Sequence, residues 1–329
     1  MASSSEASSS RTRSGRRMTP YSTSRRKART PRIEEANVLP VISEDSGASA
    51  EPSLSTSQLS TISSELLYKT WRLHWVNQLY KFNYSHLKQY SKKLTTHIRA
   101  SNILMMDDGS SVDLLKSRIS ICNELSLEGL PRAVKVVVFT IKQRKEVPIL
   151  VAYLCCLAKD IQTVAGFTSL PLLLIKSTSA LSKKFLGWLS LSFDCYTWRL
   201  QFLNKEMRHI MAHYLAENKD HKVMAVYNSP EDIKDAGLSE VTLELSAIDT
   251  TTIMESLQQR FSSDQIGSEF LKLMEEDFKT STHIKLEQFT MSKFMTATVC
   301  LDMTGRIKLG QADKVLHILT TITSIYEYK

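Results

Sequence analysis

The sequence predicts an α+β fold: a curved, mostly antiparallel sheet with helices packed on one face, preceded by a disordered basic tail. Three observations predict it. Residues 1–60 are dominated by Ser, Thr and Arg and show neither a helical nor a strand period, so they bury too little apolar surface to offset their ordering entropy. In the middle of the chain, β-branched runs meet across a short charged turn, the pattern of a hairpin. At the C-terminal end, short apolar runs separated by a turn lead into an amphipathic stretch, which reads as a meander closed by a helix. The boundaries that follow are a tail at 1–60 and a body at 61–329, with the strand meander and helix at about 283–329.

Order begins near Ser63. Leu67, Trp71, Trp75 and Leu79 recur at i, i+4 and predict a helix with Ser63 or Ser64 as N-cap and Glu65 in its first turn. After a kink at Phe82 and Asn83, Leu87, Tyr90, Ser91 and Leu94 predict a second helix, with Lys88, Lys92 and Lys93 on its solvent side. Residues 115–123 and 134–141 read as strands, the latter paired with 148–157 across the turn 142–146. The continuous apolar character of that pair predicts burial on both faces. Residues 170–175 predict a strand and 179–189 a helix, with Leu181, Phe185, Trp188 and Leu189 on one face. Residues 193–200 read as extended, 202–216 as helix and 223–227 as strand. Val241, Leu243 and Leu245 alternate with polar residues, as in a half-exposed strand. Asp249 or Thr250 then caps a helix at 253–261, and another runs at 268–278. The closing meander is assigned to Ile284 and Leu286, to 294–301 and to 306–309. Gly305 supplies the positive φ of the last turn. A final helix from Asp313 buries Val315, Leu316, Leu319, Ile322 and Ile325.

The net charge of +8 is unevenly placed. Eight arginines and Lys27 stand against Glu6 alone in the first 33 residues, so this segment carries the whole excess and the rest of the chain balances to zero. The body is therefore not basic on net charge, although a basic stripe offset by an acidic face is compatible with that balance. Arg16 and Arg17, a spacer, then Arg25, Arg26 and Lys27 form two clusters with the pattern of a bipartite nuclear localisation signal. Thr19-Pro20 and Thr30-Pro31 offer proline-directed phosphorylation sites whose phosphates would cancel neighbouring arginine charge. The five cysteines include no C-x-x-C, and with no signal peptide they fit a reducing compartment, the nucleus. The longest apolar run is about a dozen residues, too short to span a bilayer.

Enzyme motifs are missing. No two of the ten glycines are separated by a single residue, which excludes G-x-G-x-x-G. Gly305 and Gly310 have P-loop spacing but are followed by Gln311 and Ala312. There is no G-x-S-x-G and no H-E-x-x-H. His209 and His213 have the i, i+4 spacing of a metal pair, but the sequence offers no third ligand. Asp194 and Cys195 near His209 could suggest a thiol nucleophile, yet no residue in the sequence activates it. The reading is a non-enzymatic binding protein with no cofactor, metal, small-molecule substrate or membrane partner.

The run Leu-Tyr-Lys-Phe-Asn-Tyr-Ser-His-Leu-Lys-Gln-Tyr-Ser at 79–91, with Trp71 upstream, resembles the centromere protein L family. So do Phe193-Asp194-Cys195-Tyr196 after Trp188, Leu170-Pro171-Leu172, and His283-Ile284-Lys285-Leu286 followed by Gly305-Arg306-Ile307-Lys308-Leu309. The resemblance spans about 65–329 and weakens at 101–130. It implies an inner-kinetochore scaffold subunit of the centromere-associated network. Such a subunit pairs with centromere protein N, contacts centromere protein C and other network subunits, and reaches centromeric nucleosomes and DNA through the complex. An uncovered sheet edge in the C-terminal meander would provide the pairing surface, with Ile284, Leu286, Phe294, Val299, Ile307 and Leu309 on or beside it. Lys142, Arg144 and Lys145 in the hairpin turn, Lys183, Lys184 and the tail arginines are the candidate DNA contacts. The alternative is a freestanding, sheet-based nucleic-acid-binding module acting as a homodimer.

Overall fold

The computed structural model describes residues 65–103, 115–142, 144–157, 164–217, 222–235 and 237–327. All fall within the unit Ser53–Lys329. The tail, with its localisation and phosphorylation candidates, lies outside the described residues.

One sequence expectation fails at the start of the body. The first apolar stripe is a strand, β1 (Thr70–Val76), followed by a short strand β2 (Leu79–Tyr80). A spacing of four is also a multiple of two, so Trp71 and Trp75 share a face in either structure. Leu73 between them decides the matter, because it is fully buried beside Trp71. Trp71 donates from its indole N–H to the Leu66 carbonyl at 2.9 Å and meets Tyr153 edge-on, 5.4 Å between ring centres.

The second predicted helix is present as α1 (Leu87–Ile103), with Leu87, Tyr90, Leu94 and Ile98 buried and Lys88, Lys92 and Lys93 exposed. It docks on β3 (Leu115–Cys122), where Ser91 accepts from the Ile119 amide at 2.9 Å. The predicted hairpin is β4 (Ala133–Lys142) with β5 (Lys145–Cys155). Burial on both faces holds for residues 152–155 of β5, while 145–148 project into solvent. Then follow β6 (Phe167–Thr168), β7 (Leu172–Ser177), α2 (Ser179–Phe193), β8 (Thr197–Arg199), α3 (Asn204–Glu217), β9 (Val223–Asn228), α4 (Glu231–Asp235) and β10 (Glu240–Leu245).

Helix α5 (Ala247–Gln258) starts six residues before the predicted 253. Ser246, not Asp249 or Thr250, is the N-cap and accepts from the Asp249 amide at 3.2 Å. After α6 (Ser263–Thr282), the predicted strand around Ile284 is instead a 3₁₀ turn at Leu286–Gln288. The meander is β11 (Thr290–Met295), β12 (Val299–Asp302) and β13 (Arg306–Leu309), and α7 (Ala312–Glu327) closes the chain. The predicted strand 294–301 therefore contains a turn. Thr296 makes that turn without glycine, its hydroxyl accepting from the Thr298 and Val299 amides at 3.3 and 3.1 Å.

Eleven strands form one sheet in the order β10-β9-β11-β12-β13-β1-β7-β5-β4-β3, with β8 also on β1 and β2 paired separately to β6. Every pairing is antiparallel. The α+β class stands, but the helices divide between the two faces. Along β7, Leu172 and Leu174 enter one core while Leu173 and Ile175 enter another, as strand alternation requires. Helices α1 and α2 cover the second core, and α3, α5, α6 and α7 cover the first. A single helical face thus describes each half of the sheet, not the whole.

Helix α3 crosses α6 so closely that a β-carbon on Gly267 would lie 1.9 Å from the Ala212 carbonyl oxygen. We expect Gly267→Ala to lower the unfolding free energy by about 3 kcal/mol in urea denaturation, the upper range for forced overpacking. Gly187, exposed on α2 with open space around it, is the control. Its alanine variant should gain up to about 1 kcal/mol from helix propensity.

Candidate partner and nucleic-acid interfaces

The residues predicted to pair with a partner are largely interior. Leu286, Phe294, Val299, Ile307 and Leu309 are each at most 3% exposed, and half-buried Ile284 packs against the same core. Nor is the meander an edge: β9 pairs with β11 on one side and β1 with β13 on the other. Both partners come from distant parts of the chain and so leave no local sign near the meander. The open edges of the main path are β10 and β3.

Edge strand β10 belongs to the C-terminal half. It pairs residue for residue with β9 along its length. Alternate backbone N–H and C=O groups therefore point away from β9, toward any chain that lies alongside. Half-buried Leu243 and Leu245 sit on its inner face, and Ile248, just past its end, is 79% exposed.

A second surface is the meander face that turns away from the first core. Cross-strand partners share a face, so the pairs Arg72 with Arg306, Lys308 with Cys300, and Lys293 with Asp302 gather on it. His74 opposite Arg199 extends it. Arg199, Arg306 and Lys308 are exposed, and Arg72 and Lys293 half-exposed. Asp302 is the nearby acid, and its carboxylate is engaged in the turn, accepting from the Thr304 and Arg306 amides at 2.8 and 3.0 Å. Arg72, Lys293, Arg306 and Lys308 make no ion pair among the described residues. Two arginines directly opposite each other cost stability in a sheet. The field is felt locally: burial, then Arg199 and Arg72, hold the His74 imidazole below its ordinary pKa.

Sequence reasoning missed this face. Arg-Ile-Lys-Leu at 306–309 shows the alternation, but only the pairing with β1 brings Arg72 opposite. Of the predicted DNA contacts, Arg144 and Lys145 are exposed at the β4–β5 tip and Lys183 is exposed on α2. Lys184 donates to the Ser101 carbonyl at 3.1 Å, tying α2 to α1. The side chain of Lys142 lies outside the described residues.

Cys195 is buried, and burial pushes its thiol up to about 11, the opposite of nucleophile activation. His213 faces Glu217 and His317, while the His209 ring sits 6.4 Å from that of His213. No helix among the described residues is long and apolar enough to cross a membrane.

Comparison with known proteins gives one consistent match. A family model described as Centromere protein L covers residues 65–326. Centromere protein L of Homo sapiens is 22% identical over 282 residues, spanning 79% of this chain and 79% of that protein. The Rattus norvegicus protein is 21% identical over 282 residues with the same coverage. The Bos taurus protein is 27% identical over 144 residues, 40% of this chain and 41% of its own. The family match runs from the turn before β1 into the last helix, across both cores and both surfaces described above, and the chain belongs to the centromere protein L family.

Proposed function

We propose that this chain is a non-enzymatic scaffold subunit of the inner kinetochore. It pairs with centromere protein N, joins centromere protein C and other network subunits, and supports kinetochore assembly on centromeric nucleosomes and DNA. Family membership supports the centromere role. The observation that carries the pairing is the open β10 edge, with Ile248 at its end. A strand from the partner would extend the sheet there, within an obligate interface typically burying ~2,000 Å² or more. The basic meander face contacts DNA, and the clusters Arg16, Arg17 and Arg25, Arg26, Lys27 direct nuclear entry.

Mass photometry of the full chain with centromere protein N tests the pairing. A one-to-one complex is expected, weakened about tenfold by Ile248→Lys, a rim position whose exposure leaves folding intact. A complex indifferent to Ile248→Lys removes β10 as the pairing edge. A chain that ignores the partner, pairs with itself and binds DNA tightly alone supports the freestanding homodimeric module, which the basic face also favours.

A further inference from the structure

Helices α3 and α7 bring together three side chains, one of which the sequence keeps about a hundred residues from the other two. His213 and Glu217 lie one turn apart on α3 and so share a face. His317 reaches them from α7. Its Nδ1 is 3.2 Å from Glu217 Oε2, and its ring centre is 5.1 Å from that of His213. One donor atom from each residue can be chosen so that all three lie within 4.8 Å of one another. His317 Nε2, across the ring from the nitrogen that faces Glu217, is buried and has no hydrogen-bond partner among the described residues. A buried polar atom left unpaired is costly, and the ring thus retains a nitrogen that the protein alone does not satisfy.

We propose that His213, Glu217 and His317 bind a divalent transition-metal ion of the zinc class, clamping the end of α3 to α7. Two imidazole nitrogens and one carboxylate oxygen are a donor set that Zn²⁺ takes, with a fourth position left for water. Tetrahedral zinc with bonds of about 2.1 Å holds its ligands about 3.4 Å apart. The closure from 4.8 Å falls to His213 and Glu217, which are exposed and able to rotate. His209, a turn earlier on α3, stays outside the site.

The test uses the full-length chain without a histidine tag, stripped with a chelator and titrated with Co²⁺. The readout is the visible d–d absorption of the bound ion, followed by displacement with Zn²⁺. One equivalent is expected to bind, and Zn²⁺ should raise the thermal midpoint because it binds only the folded chain. His213→Asn and His317→Asn should each weaken binding at least about tenfold, while His209→Asn should leave it unchanged. His213 is exposed, so its variant stays informative even if the His317 variant misfolds. A cobalt spectrum that remains that of the aqueous ion overturns the proposal. So does binding that survives His213→Asn, and in either case Glu217 and His317 form only an ion pair.

Discussion

Replacing Arg208 with methionine should lower the unfolding free energy by about 3 kcal/mol, the low end of the cost of breaking a buried ion pair. Arg208 on α3 meets Glu275 on α6 through two parallel hydrogen bonds, one of them 2.6 Å from Nη2 to Oε2. The Tyr227 hydroxyl of β9 donates to the same carboxylate at 3.1 Å. The Glu275 side chain is 9% exposed and that of Arg208 27%. Removing the guanidinium leaves a carboxylate that water reaches poorly and one phenol cannot neutralise. The low end of the range applies because Arg208 keeps some solvent contact. Pairing Arg208→Met with Glu275→Met removes both charges together, and the double variant should lose only about 1 kcal/mol. Urea denaturation of the two single variants and the double variant closes the cycle. If the double variant loses the sum of the two single losses, the pair is not coupled and the three-element tie is wrong.

That tie illustrates what could be read from the chain before its fold was known. Periodicity recovered the helices that bury a continuous stripe, such as α1 and α7, because each apolar contact recurs within the same segment. It also recovered the β4–β5 hairpin, whose partners are adjacent in sequence. It failed where one spacing serves two structures, as at Trp71 and Trp75, and where Thr296 made a turn usually marked by glycine. The surfaces were less legible still. An edge is defined by the strand that is not there, and β13 loses its edge to β1, more than two hundred residues earlier. Arg208 with Glu275, and His317 with Glu217, depend on helix packing that leaves no local pattern.

The basic meander face leads to the other large effect. Arg306→Glu with Lys308→Glu should weaken binding to duplex DNA about 50-fold at 0.1 M salt, because each lost phosphate contact removes ~0.9 from the slope of log K against log salt. Fluorescence anisotropy over a salt series reads both quantities, and the slope should fall by about 1.8. Arg144→Glu, at a hairpin tip away from the meander strands, is the comparison and should cost less. Stability should move the other way. Arg306 stands directly opposite Arg72 in the register, so Arg306→Glu exchanges a repulsive cross-strand pair for an attractive one, worth about 0.2–1 kcal/mol. A variant that binds DNA less and unfolds later marks charge held on the face at the expense of the fold. Neither a merely solvated strand nor a misfolded variant gives that combination. An unchanged salt slope would show that phosphates do not lie on this face, leaving DNA contact to the hairpin, α2 or the tail.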